Sequence, residues 1–138
     1  MSVDAYADVV VIGGGPAGSC CARELALRGF HTLLLEEHET VASKVLCTGI
    51  IGINAFEEFP LPWESVVGTL GRMKAVSRYG TELPYTPPQP IAYIVDKGAF
   101  NSALATQATD AGALLHTSTR AYDLVIDDAG VHLQALVG

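Results

Sequence analysis

Three glycines near the start of the chain have the spacing of a phosphate-binding turn. Gly13, Gly15 and Gly18 form the pattern G-x-G-x-x-G directly after the apolar run Val9 to Ile12. A glycine can take the backbone angles of a sharp turn, and its missing side chain lets a pyrophosphate approach the main chain. A helix that starts at this point presents N–H groups and a partial positive charge to the diphosphate. The pattern therefore predicts that these glycines bind the diphosphate of a dinucleotide.

The residues between and after the glycines fit the first turns of that helix. Pro16 suits a first helical turn because its missing N–H would have no partner there. Ala17 lies beside it, and Gly18 with Ala22 would let the helix pack closely on a sheet. We expect Pro16 and Ala17 to contribute to cofactor binding, and Gly29 to end the helix.

An acidic residue follows the second apolar segment. Thr32 to Leu35 predicts a strand, and Glu36 comes directly after it, eighteen residues past Gly18. A carboxylate at this place accepts hydrogen bonds from an adenosine ribose and repels a 2′-phosphate, which disfavours NADP. Glu37 is assigned to the same site. The alternative is that the glycines only form a tight turn and Glu36 is a solvated surface acid.

Composition sets the outer bounds on function. The net charge of −7, with only 8 lysines and arginines in 138 residues, argues against nucleic acid as a partner. The apolar run at the start is much shorter than the roughly 20 residues of a membrane span, and no secretory signal pattern precedes it. The 3 cysteines show no metal-ligand spacing, and their odd number suits a reducing compartment. We expect a cytoplasmic protein with no metal site.

The apolar pattern and the turn residues predict an α/β fold in one domain. The first strand, Val9 to Ile12, is expected to be buried on both faces of a parallel sheet. The other expected elements are a helix over 50–59, a hairpin with strands at 73–77 and 81–85, a strand at 91–95, a helix over 97–111 capped by Asp96, a third parallel strand at 114–117, and a final hairpin with strands at 121–126 and 131–137.

Four segments carry a resemblance to a known family: residues 8–18, Leu33 to Glu36, Lys44 to Gly49, and Tyr93 to Asn101. Over nearly the whole chain they are similar to the N-terminal third of geranylgeranyl-reductase-type FAD-dependent oxidoreductases, which have the fold of p-hydroxybenzoate hydroxylase. The resemblance implies a Rossmann-like FAD/NAD(P)-binding domain over residues 1–138, apparently truncated, with a small β-hairpin insertion at about 66–95. It also implies FAD rather than NAD as cofactor, and a prenyl or other apolar small molecule as substrate.

The resemblance also implies further cofactor-binding residues. Cys47 matches a loop cysteine that lies near the flavin in the family, Thr48 is a small residue that follows it, and Lys44 is the nearby cation in sequence. Lys97 stands where the family often has an arginine that faces the cofactor, and Ala121 would present backbone groups to the adenine. The alternatives are an ordinary loop thiol and a solvated lysine. No catalytic residue is assigned.

Two further expectations concern activity and partners. The family continues past the segments present here, so the first strand would lack a neighbour on one side, and a bare strand edge invites pairing with another chain. Self-association or a complementing chain is therefore expected, and catalysis by this chain alone is in question. The alternative functions are a nucleotide-binding module without catalysis and a fragment of an NAD-dependent dehydrogenase.

Overall fold

The computed structural model describes residues 6–43 and 45–138, which divide into two compact units. Unit 1 contains residues 6–43 and 101–138, and unit 2 contains residues 45–100. The elements in chain order are β1 (Val9–Ile12), α1 (Pro16–Leu27), β2 (Thr32–Leu35), β3 (Ile50–Gly52), α2 (Ile53–Glu58), β4 (Val66–Leu70), β5 (Met73–Val76), β6 (Glu82–Tyr85), β7 (Ala92–Val95), α3 (Lys97–Asp110), β8 (Leu114–His116), β9 (Thr119–Asp127) and β10 (Gly130–Val137). A 3₁₀ turn, Trp63–Ser65, precedes β4.

Unit 1 is built on a parallel sheet with the strand order β1-β2-β8. Val9 pairs with Thr32, and Leu33 pairs with Leu114, so all three predicted parallel strands are confirmed. Ala22 on α1 and Ala108 on α3 are small side chains that let both helices pack closely on this sheet. The core consists of Ala22, Leu34, Ala108 and Ala113, with Val11, Ala26 and Leu115 packed against it.

The first strand is less buried than its apolar sequence predicts. Val10 is 37% exposed and Ile12 is 58% exposed, whereas Val11 packs against the core. Among the described residues β1 pairs only with β2, and one of its faces is not covered. The expectation of burial on both faces is therefore wrong for these residues.

The helix α3 and the last strands follow the predicted order. The N–H of Ala99 donates to Asp96 Oδ1 at 3.0 Å, which confirms Asp96 as the cap of α3. The strands β9 and β10 form the predicted antiparallel hairpin, with an irregularity between Gln134 and Ala135. None of the described helices is long and apolar enough to span a membrane.

Unit 2 contains two antiparallel sheets, with the strand orders β3-β7-β4 and β5-β6. The hairpin β5-β6 is the predicted one, whereas β4 was not anticipated. The helix expected over 50–59 begins only at Ile53, because Ile50–Gly52 pairs with β7 as a strand. Phe56 is 5% exposed. The centroid of its ring lies 4.8 Å from the ring centroid of Trp63 and 5.1 Å from that of Tyr93.

Candidate functional site: the glycine turn and Glu36

The first and third glycines of the turn are required by the chain itself. Gly13 has a φ of +100°, in the left-handed region that side-chain-bearing residues rarely adopt, and its N–H donates to the Leu35 carbonyl at 2.7 Å. A Cβ on Gly18 would overlap the carbonyl oxygen of Gly13. These two glycines therefore allow β1 to turn directly into α1.

The second glycine of the pattern, Gly15, has open space beside it. Gly15 precedes the first residue of α1, Pro16, and a Cβ on Gly15 would have no atom within 4 Å. Among the described residues no side chain caps this end of α1, and its first turn contains no acid. A diphosphate could therefore approach the main chain beside Gly15 and accept hydrogen bonds from the unpaired N–H groups at the start of α1.

Glu36 faces inward at the carboxyl end of β2. The residue is 8% exposed, and its Oε2 accepts a hydrogen bond from the N–H of Gly14 at 2.8 Å. Its Oε1 accepts from the N–H of His38 at 3.0 Å, and the ring Nδ1 of His38 lies 2.5 Å from the same oxygen. The carboxylate thus joins the glycine turn to the loop that follows β2.

The surroundings of Glu36 favour its ionised form. Burial alone would raise the pKa of this carboxyl, but hydrogen bonds from the main chain of His38 and Gly14, together with the His38 ring, outweigh burial and lower the pKa below its ordinary value. At neutral pH the side chain is therefore an acceptor for hydroxyl or N–H donors.

Gly14, which lies between the first two glycines of the pattern, is enclosed by the side chains of Val41 and Glu36. A Cβ placed on it would lie 2.6 Å from Val41 Cγ1 and 3.2 Å from the Cβ of Glu36. The Val41 carbonyl in turn accepts a hydrogen bond from Asn101 Nδ2 at 3.1 Å. His38, Val41 and Asn101 were not predicted from the sequence to contact this site. His38 could have been suspected from its position two residues past Glu36, whereas no sequence pattern signals Val41.

Glu37 and Ala121 lie near the same end of the sheet. The side chain of Glu37 is half exposed, and its Oε2 lies 3.7 Å from Arg120 Nε. The strand β9 starts beside Glu36, because the N–H of Thr119 donates to the Glu36 carbonyl at 2.8 Å, and Ala121 is two residues further along. Glu37 also lines an open cleft of about 430 Å³, whose other lining residues are His38, Glu39, Ser43, Ser118 and Gly138.

Three other candidate residues, Cys47, Thr48 and Lys97, belong to unit 2. Cys47 and Thr48 are exposed, and the N–H of Gly49 lies 3.5 Å from Cys47 Sγ. Burial lowers the pKa of the Lys97 ammonium, an effect that the nearby Cys47 side chain partly offsets, and Lys97 Nζ lies 4.9 Å from the centroid of the Phe100 ring. Lys44 lies outside the described residues. Within the described ranges no group of three His, Cys, Asp or Glu side chains could hold a metal ion.

Comparison with known proteins identifies the family. Residues 8–82, more than half of the chain, match the family described as FAD dependent oxidoreductase. The chain belongs to this family. Its cofactor, FAD, contains the adenosine diphosphate that the glycine turn and Glu36 are suited to bind, so the residues present fit the cofactor.

Similar proteins are named digeranylgeranylglycerophospholipid reductase. The chain is 29% identical to the one from Methanoculleus marisnigri, covering 90% of this chain and 32% of that protein. It is 31% identical to the one from Methanosarcina acetivorans, covering 88% of this chain and 31% of that protein. The chain therefore spans about a third of the length of the curated relatives it matches.

Solved structures agree on the fold. A geranylgeranyl bacteriochlorophyll reductase-like protein from Thermoplasma acidophilum superimposes with a TM-score of 0.79 at 23% identity, over 88% of this chain and 32% of that one. A mutant of the halogenase PltM in complex with FAD superimposes with a TM-score of 0.71 at 14% identity, over 96% of this chain and 32% of that one. The Rossmann-like fold expected from the sequence is confirmed.

Proposed function

We propose that this chain is the FAD-binding part of an oxidoreductase that reduces a prenyl chain or another apolar small molecule. The observation that carries the proposal is the hydrogen bond from the Gly14 N–H to Glu36. It joins the glycine turn and the acid in one site at the carboxyl ends of two neighbouring parallel strands. Open parallel sheets bind their ligands at this edge.

Each residue of the site has a task in this proposal. Gly15 leaves room for the diphosphate, and α1 offers its first N–H groups to the phosphate oxygens. Glu36 accepts a hydrogen bond from the adenosine ribose, and Glu37 lies beside it. The backbone of Ala121 faces the adenine. Bound FAD supplies the hydride and electron chemistry, while the chain supplies binding and orientation.

The substrate class rests on the relatives, whose name states that they reduce a lipid with geranylgeranyl chains. Reduction of one carbon–carbon double bond adds a hydride to one carbon and a proton to the other.

Cys47, Thr48 and Lys97 are proposed to line the flavin side of the cofactor, and Lys44 is proposed as a further contact.

We further propose a cytoplasmic location, in keeping with the free thiols of Cys20, Cys21 and Cys47. Among the described residues one edge of β1 has no neighbouring strand, and this edge keeps a second copy or a complementing chain as a proposed partner.

Titration with FAD tests the proposal. We expect the wild-type chain to bind FAD, with quenching of flavin fluorescence, and Gly15→Ala to weaken binding by about tenfold or more, because a methyl group would occupy the diphosphate space. The matched control is Gly71→Ala, whose new Cβ would touch only Pro90 at ordinary contact distance. Both variants should keep the wild-type melting temperature, since neither Cβ meets a close neighbour.

Absence of FAD binding by the wild-type chain would refute the proposal. Binding that Gly15→Ala leaves unchanged would refute the location of the diphosphate. A chain that binds ADP but not FAD would favour the alternative, a nucleotide-binding module without flavin chemistry. Visible absorbance of the purified protein gives an independent check, because a bound flavin is yellow.

A further inference from the structure

His38 contacts the carboxylate of Glu36 through both its main chain and its ring, and the proposed function assigns it no role. Its main-chain N–H and its ring Nδ1 both bind Glu36 Oε1, at 3.0 and 2.5 Å, while Gly14 binds Oε2 at 2.8 Å. An ionised carboxylate has about four acceptor positions, so three of them are occupied by the chain itself. The fourth is on Oε2, beside the N–H of Gly14.

The hydrogen bond fixes which ring nitrogen carries the proton. An ionised carboxylate can only accept, so Nδ1 must be the donor. The other ring nitrogen, Nε2, lies 4.0 Å from Glu37 Oε1. The side chain of Glu36 is 11% exposed and that of His38 is 28% exposed, so Glu36 offers a ligand only a narrow approach.

We propose that His38 is a positioning residue for ribose recognition: its Nδ1–H saturates Glu36 Oε1, so that the carboxylate presents a single acceptor position, on Oε2, to one ribose hydroxyl. This inference rests on the proposed function, since it concerns the same nucleotide site. It adds a specificity: one of the two ribose hydroxyls is recognised by Glu36 and the other is not.

Calorimetric titration with ADP, 2′-deoxy-ADP and 3′-deoxy-ADP tests the inference without a loaded enzyme. For the wild-type chain, loss of one hydroxyl should weaken binding by about three- to tenfold, as expected for one hydrogen bond, and loss of the other should not. His38→Leu should reduce this selectivity, because Oε1 loses its ring donor and then has a free acceptor position for the second hydroxyl.

Two amide variants separate positioning from a structural role. In His38→Asn the amide nitrogen is attached to Cγ, as Nδ1 is, so this variant should restore the selectivity. In His38→Gln the amide nitrogen lies one bond further out, so this variant should not restore it. Thermal melting of each variant reports whether it is folded.

The outcomes distinguish the two proposals. A wild-type chain that binds neither ADP nor FAD refutes the proposed function. Normal ADP binding with equal sensitivity to both hydroxyls, or His38→Leu with unchanged selectivity, refutes only the role of His38. A lower melting temperature with unchanged selectivity shows a structural role and also refutes it. Rescue by Gln and not by Asn would refute the assignment to Nδ1.

Discussion

At the scale of single residues, the glycine turn is joined to the loop after β2 by one inward-facing carboxylate. Glu36 accepts hydrogen bonds from Gly14 and His38, and these donors lower its pKa below the ordinary value despite burial. A pKa that is lower in the folded than in the unfolded chain means that the ionised form favours folding. This contribution is complete above the unfolded pKa and is lost as the pH falls through the folded pKa.

We therefore predict a pH-dependent effect of Glu36→Gln on the free energy of unfolding. At pH 7 the variant should be less stable by about 1–3 kcal/mol, because its amide group turns a donor toward one of the N–H groups. The difference should shrink on acidification below the ordinary carboxyl pKa, as the wild-type carboxylate becomes protonated. Urea unfolding at a series of pH values measures it.

The exposed Glu39, on the same loop, provides the control. Glu39→Gln should leave stability unchanged at every pH. A deficit in Glu36→Gln that stays constant from neutral to acidic pH would show that ionisation of Glu36 contributes nothing to folding.

The residues of the turn show where sequence reasoning succeeds. The places of Gly13 and Gly18 in the turn, and of Glu36 at the end of β2, are predictable because a fixed spacing follows from the geometry of strand, turn and helix. The contacts of Val41 and Asn101 depend on how an irregular loop folds over Gly14, and neither periodicity nor turn chemistry encodes that path. The local partners of the carboxylate therefore required the structure.

At the scale of elements, a capping side chain decides where α3 begins, and strand pairing decides where α2 begins. Asp96 accepts the N–H of Ala99, the third residue of α3. The boundary was predictable because a short acidic side chain before a helical pattern is a strong start signal. The start of α2 was misjudged because Ile50 and Ile51 fit a helical pattern but pair with β7, and tertiary pairing outweighs local periodicity.

We predict that Asp96→Ala destabilises the chain by about 0.5–2 kcal/mol, because the N–H of Ala99 loses its partner. Asp96→Asn keeps an acceptor at the same place and should be close to wild type. Thermal unfolding followed by circular dichroism measures both. If the two variants lose the same stability, the negative charge of Asp96 matters and the cap hydrogen bond does not.

At the scale of the whole molecule, the chain has two units with separate cores. Small side chains around Leu34 form the core of unit 1, whereas aromatic rings around Phe56 form that of unit 2. Trp63, the one tryptophan of the sequence, lies in contact with Phe56. Its fluorescence therefore reports on unit 2.

We predict that Phe56→Ala destabilises unit 2 by about 3–5 kcal/mol, the usual cost of removing a buried aromatic ring. Hydrogen exchange should accelerate within residues 45–100 before it does in the described part of unit 1. Phe59→Ala is the control, since Phe59 is 58% exposed, and it should change stability by less than about 0.5 kcal/mol. Equal loss of protection throughout the chain would show that the two cores do not unfold separately.

The enclosure of Gly14 has a consequence for engineering. Any larger residue at position 14 would collide with the side chain at position 41, 2.6 Å from where its Cβ would lie. Gly14→Ala should consequently be better tolerated together with Val41→Gly than alone. A designer who grafts this glycine loop onto another scaffold could place a side chain at position 14 only where no neighbour fills the space that Val41 fills here.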